Sequence, residues 1–279
     1  MNVLKILFDF YINSSIHVAL SVCSFTRITE IYFDISYQEN LSYFIFFATV
    51  SGYNFIKYAG VAKWYHIRLT KNLKSIQIFS FISFVWMCFY GCFLPIRILL
   101  FILPLGILTI LYAIPFLSGF QKSLRGIRHL KIMVIAFVWA SMTVLLPLYH
   151  ENDTIEGNRS NIILYTIQRF LILVVLTLPF DIRDMKYDQL SLQTIPQKTG
   201  IAQAKRIGLA LLLFAISIEF IIAPDSTVKN IFMLFFFSAT VVLMRATENQ
   251  PTYYSSFWVE AIPIFWWLSL WGIHTIRLE

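Results

Sequence analysis

Charged residues are scarce in this chain, at 13% of 279 residues against about 25% in soluble domains. With 58% hydrophobic and 17% aromatic content, the chain has more apolar surface than one aqueous core of this size can hide. A bilayer accommodates it, because its interior is itself apolar. Cysteine is also rare. Cys23, Cys88 and Cys92 all lie in apolar stretches. Cys88 and Cys92 share a helix face at i,i+4, but no histidine or carboxylate completes a metal set, so they read as packing residues, and neither a disulfide framework nor a redox role is expected. Acidic residues number 15 against 22 basic ones, giving a net charge of +7. Nucleic-acid binding would need a basic face or stripe. Here the basic residues sit in short patches between apolar runs, which is the pattern of the positive-inside rule and excludes nucleic acid as a partner. No linker or low-complexity segment divides the chain, so residues 1–279 read as one integral membrane domain.

Apolar runs of about 16–22 residues are long enough to cross the hydrocarbon core as helices. They predict an all-α, polytopic transmembrane bundle of about nine spans: Ile6–Phe25, Tyr43–Ala62, Ile76–Leu94, Ile96–Phe116, His129–Tyr149, Ile162–Phe180, Ile207–Ala223, Ile231–Met244 and Phe257–Ile273. The first is read as a retained span, since it carries Asp9, Asn13 and His17 and no small-x-small cleavage pattern. With the N-terminus inside, 16 Lys and Arg residues fall in the cytoplasmic segments and 5 (Arg27, Arg97, Arg159, Lys229 and Arg277) on the other side. The asymmetry predicts an N-in, C-out topology. The expected location is a bacterial inner membrane. The tryptophans of the last span (Trp258, Trp266, Trp267 and Trp271) read as an interfacial belt and packing residues.

Chemistry concentrates after the sixth span, in Asp181-Ile-Arg-Asp-Met-Lys-Tyr-Asp188. On a continuing helix, Asp181, Asp184 and Asp188 at i, i+3 and i+7 share one face. Three like charges repel unless a cation lies between them, and hard oxygen ligands suit Mg²⁺, which is usually shared with substrate phosphates. Arg183 and Lys186 interleave, positioned for phosphate oxygens or for the membrane surface. The structural alternative is a solvated loop.

The run Phe180 to Asp188, followed by Thr194-Ile-Pro196 and Gly200, resembles the second aspartate-rich motif of the UbiA superfamily of intramembrane prenyltransferases. There the motif is trailed by Thr-x-Pro and a glycine. The nine-helix, N-in plan is similar to the family's. So are Tyr112-Ala-Ile-Pro-Phe-Leu117, the basic stretch after it, and Val138-Trp-Ala140. The resemblance implies a cytoplasm-facing site for a polyprenyl diphosphate, bound through Mg²⁺ on Asp181, Asp184 and Asp188, with transfer to a lipophilic acceptor in the bilayer. Protein partners are not implied.

The family's first motif, an asparagine followed by aspartates at offsets one, four and eight, is degenerate here. Asn54 is present, but Phe55, Tyr58 and Ala62 replace the aspartates, removing the second ion's ligands. Arg68 and Lys71-Asn-Leu73 stand about where the family has its basic loop, and Phe116 replaces a basic residue of the fourth span. Asn54, Lys57 and Tyr58 share a helix face at i, i+3 and i+4, and Lys57 offers a point cation where a metal would be. Snorkelling of Lys57 to the interface is the structural alternative.

Ionisable groups inside spans usually face the bundle interior. Arg169 is expected to pair with Glu219 or Glu260, either as a fastening ion pair or as a polar floor that contacts substrate. Glu260 is the candidate for acid/base work, and His17 reads as a hydrogen-bonded core histidine. The function expected is thus prenyl transfer. The alternatives are a non-catalytic isoprenoid- or lipid-binding scaffold, favoured by the empty first motif, and an intramembrane terpene cyclase. A transporter is disfavoured, because the chain has no second acidic cluster deep in the membrane and no paired broken spans.

Overall fold

The computed structural model describes residues 3–59, 71–113, 130–151, 159–186 and 193–278, and every element among them is helical. In chain order these are α1 (Val3–Asn13), α2 (Ile16–Tyr32), α3 (Glu39–Ala59), α4 (Lys71–Gly91) and α5 (Ile96–Ala113). Then come α6 (Leu130–Ala140), which passes through a wide π turn (Ser141–Leu145) into α7 (Leu146–Glu151), and α8 (Arg159–Asp184). The last are α9 (Ile195–Thr199), α10 (Ile201–Ile222), α11 (Ser226–Arg245) and a second π turn (Tyr254–Val259) leading into α12 (Glu260–Leu278). Six helical stretches are long and apolar enough to cross a membrane, or seven if the bent pair α1 and α2 counts as one. α3 and α10 are as long, at 21 and 22 residues.

Two expectations about element bounds change. The first span is not a continuous helix, because the chain breaks at Ser14–Ser15 with a bend of 53° and then runs on to Tyr32. Ser15 has left-handed φ and ψ of 64° and 19°, which ends α1 without a glycine or proline. The seventh and eighth spans extend beyond their apolar cores. Lys205, Arg206 and Glu219 interrupt the hydropathy of α10 but not its helix, and α11 starts earlier because Asp225 caps it, accepting from the Val228 N–H at 2.8 Å.

Helices in a bilayer gain little from apolar transfer, since lipid tails are as apolar as leucine, so close packing decides which surfaces meet. α8 is the central rod, with 61% of its span buried, whereas only 11% of the α4 span is. α4 instead presents Phe81, Trp86 and Phe89 outward. α2 packs against α3 on one side and α12 on the other. α3 packs on α4, α8 on α6 and α10, α10 on α11, and α11 on α12. The helices therefore form a closed ring in which the first and last adjoin.

Gly208 marks the tightest approach. A Cβ there would lie 2.6 Å from Leu243 Cδ2 and 2.8 Å from Leu178 Cδ1, so the missing side chain lets α10 seat between α8 and α11. Gly208→Val is expected to cost about 1–3 kcal/mol through overpacking. Gly106→Ala, with open space around it, should be neutral or stabilising by up to about 1 kcal/mol from helix propensity. Unfolding of both variants in mixed micelles checks the contrast, and equal effects would refute it.

Candidate functional site

At one end of the ring the α1–α2 break meets the end of α3. Asn54 Oδ1 accepts from Ser15 Oγ at 2.8 Å, while its Nδ2 donates to Ser14 O at 2.9 Å and to Ser80 Oγ on α4 at 2.8 Å. Lys57 Nζ donates to Ser15 Oγ at 2.8 Å, and Tyr58 Oη to Asn13 O at 3.2 Å. The face formed by Asn54, Lys57 and Tyr58 is therefore a clasp on the helix break. It holds a left-handed serine that costs about 1–2 kcal/mol by itself. Asn54 is 2% exposed, so its amide serves the break rather than a ligand. Lys57 differs, because it remains exposed and has ammonium hydrogens to spare.

Lys57 also senses charges on two other helices. Its charge and that of Arg183, at the end of α8, both act on Glu260, the first residue after the second π turn. Glu260 is half-buried, and its charge also acts on the Tyr11 and Tyr53 hydroxyls. The Tyr53 ring lies 5.7 Å from Lys57 Nζ and meets Trp139 edge-on, with centroids 5.8 Å apart. Lys57 and Arg183 thus lie within electrostatic reach of Glu260, and Lys57 stands beside the Tyr53 and Trp139 rings. Trp139 entered the sequence reading only within Val138-Trp-Ala140, and Tyr53 not at all, although it sits one helical turn before Lys57.

α8 ends at Asp184, and residues 187–192, Asp188 among them, lie outside the described residues, so the shared face expected for the three aspartates is described only as far as Asp184. Lys186 leaves the helix axis to donate to Asn249 Oδ1 at 2.7 Å, with Glu248 at 3.7 Å. Asp181 is 2% exposed and paired with Lys131 Nζ at 2.9 Å. Asp184 accepts twice from the neighbouring Arg183, at 2.7 and 3.2 Å. Asp188 and Arg68, and the side chain of Lys71, lie outside the described residues. Among the described residues no three acidic, histidine or cysteine side chains converge as a metal site. The expected Mg²⁺ therefore does not fit the described residues alone, because Asp181 and Asp184 are each held by a basic side chain.

Compared with known proteins, no family model matches this chain and no curated protein is similar to it in sequence. A solved structure of digeranylgeranylglyceryl phosphate synthase matches 95% of this chain over 97% of its own, with a TM-score of 0.57 and 13% identity. The two proteins share a fold. The similarity covers nearly the whole of both chains.

Deeper in the bundle, Arg169 departs from expectation. It is fully enclosed and makes no ion pair with Glu219 or Glu260 among the described residues. Its guanidinium lies 4.2 Å from the Phe25 ring centroid, 5.1 Å from Tyr165 and 5.6 Å from Trp266. Nη1 donates to Phe25 O at 3.0 Å and Nη2 to Tyr165 Oη at 2.5 Å. Glu219 instead accepts from Tyr32 Oη at 2.6 Å and Gln168 Nε2 at 2.7 Å. Planar, weakly hydrated guanidinium suits aromatic faces. The cation is met by π electrons, and no surface is left for substrate. His17 is a bonded core residue, stacked on Phe257 at 4.9 Å, with Nδ1 2.6 Å from Tyr11 Oη and Nε2 2.9 Å from Phe257 O.

Proposed function

We propose that this chain is a UbiA-like intramembrane prenyltransferase. It binds a prenyl diphosphate where α3, α8 and α12 converge and transfers the prenyl group to a lipophilic acceptor in the bilayer. This reading is supported by Lys57 and Arg183, two cations whose charges both act on Glu260, at the ends of α3 and α8 in a fold shared with digeranylgeranylglyceryl phosphate synthase. The allylic C–O bond breaks, pyrophosphate leaves with the electron pair, and Lys57 and Arg183 meet its charge in place of the missing first cluster. The faces of Tyr53 and Trp139 are positioned to stabilise positive charge on the prenyl carbon. Glu260 holds the proton that an acceptor gives up. The topology is nine spans, N-in and C-out, with this site facing the cytoplasm.

A second reading, a non-catalytic isoprenoid-binding protein, is favoured by one observation. Both described aspartates of the run are already neutralised by Lys131 and Arg183. One experiment separates the two readings. Purified protein in vesicles is given farnesyl or geranylgeranyl diphosphate with extracted membrane lipids, and pyrophosphate release is followed with and without Mg²⁺. Release by the wild type is expected, falling by about a hundredfold or more in Lys57→Gln, as when a positioned electrostatic group is lost. Unchanged turnover in Lys57→Gln would refute the proposal. Saturable binding with no product would establish the non-catalytic reading.

A further inference from the structure

A groove of about 420 Å³ opens between the first turns of α10 and the last turn of α11, lined by Ile201, Ala202, Lys205, Arg206, Leu209 and Met244. Neither Lys57 nor Glu260 lines it. Its charge is of one sign. Lys205 Nζ crosses it to donate to Met244 O at 2.7 Å, while Arg206 is exposed, its guanidinium reaching only its own helix at Gln203, 3.4 Å away. No acidic residue lines it.

Beyond the cations the groove becomes an apolar strip. On α10, Leu209 is followed one turn on by Leu213, which is 52% exposed. On α11, Met244 is preceded by Val241 and Phe237, which are 49%, 53% and 58% exposed respectively. Positions 205, 209 and 213 recur at i,i+4, and 237, 241 and 244 at i,i+4,i+7, so each set forms one stripe along its helix. The shape is a polar mouth at the end of the bundle and an apolar track running from it into membrane depth.

The geometry points to a binding site for an anionic phospholipid, its phosphate on Lys205 and Arg206 and an acyl chain along Leu209, Leu213 and Val241. Basic pockets between transmembrane helices hold such headgroups. A zwitterionic lipid brings its own cation to the same mouth and is disfavoured there. Two cations near the headgroup favour the anionic lipid by about tenfold or more.

The test is native mass spectrometry of the full chain released from nanodiscs of equal phosphatidylglycerol and phosphatidylcholine. The wild type is expected to retain phosphatidylglycerol over phosphatidylcholine by about tenfold, and the Lys205→Gln/Arg206→Gln variant to lose that preference. Lys5→Gln/Lys74→Gln, which removes two exposed cations elsewhere, should keep it. No preference in the wild type, equal loss in the control variant, or displacement of the lipid by inorganic phosphate would each overturn the site. If the double variant fails to fold, Arg206→Gln alone carries the test, because that side chain is exposed and supports no other helix.

Discussion

Arg169→Ala should destabilise the bundle by about 3–5 kcal/mol, read as a shift of the unfolding transition in mixed micelles. Three losses combine. The Phe25 carbonyl and the Tyr165 hydroxyl lose a charged partner, each worth about 1.5–3 kcal/mol. Cation–π contact with Phe25, Tyr165 and Trp266 is worth about 2 kcal/mol when desolvated. A cavity also opens where α2, α8 and α12 meet. Arg169→Lys should recover little, because a point ammonium has neither the planar fork nor the stacking surface. A loss under about 1 kcal/mol in the alanine variant would show that the cage is not a fastening of the fold.

The second large effect concerns Asp181. Lys131→Met leaves a 2% exposed carboxylate without its ammonium, and breaking one half of a buried pair costs about 3–5 kcal/mol. Asp181→Asn added to Lys131→Met should restore much of that loss, since the carboxylate charge that Lys131 balanced is then gone. This double-mutant cycle isolates the pair. The opposite outcome is equally informative. If Lys131→Met left stability untouched and strengthened Mg²⁺ binding, Asp181 would be a metal ligand held in reserve rather than half of an ion pair.

The bundle was legible because its cause is crude. Long apolar runs separated by basic patches specify membrane helices with little regard to detail. The finer features depend on contacts that spacing does not encode. Nothing local distinguishes Ser14-Ser15 from a continuing helix, because the break is held by Asn54, Lys57 and Tyr58 some forty residues later. Asp181 was expected to hold a metal with Asp184 and Asp188, and its partner Lys131, fifty residues earlier on another helix, leaves no trace in the spacing. For Arg169 the expected counter-charge was a carboxylate, and a cage of aromatic faces has no sequence signature in a chain with this many rings. Lys57 and Glu260 were legible as ionisable groups near span ends, and their convergence required the ring.

That ring has a consequence for how the protein is made. α2 emerges from the ribosome well before α12, yet the two pack closely together. Phe25 and Tyr32 meet Trp266 edge-on, and His17 is stacked on Phe257 and bonded to its carbonyl. Tyr253 donates to Asp9 of α1. Synthesis proceeds from the N-terminus at about 5–20 residues per second, so α1 and α2 wait in the bilayer for the rest of the chain. During that interval His17, Ser24 and Thr29 lack part of their final surroundings. The first helices inserted are thus the last to be locked, and truncation near the C-terminus should loosen the N-terminal end of the protein first.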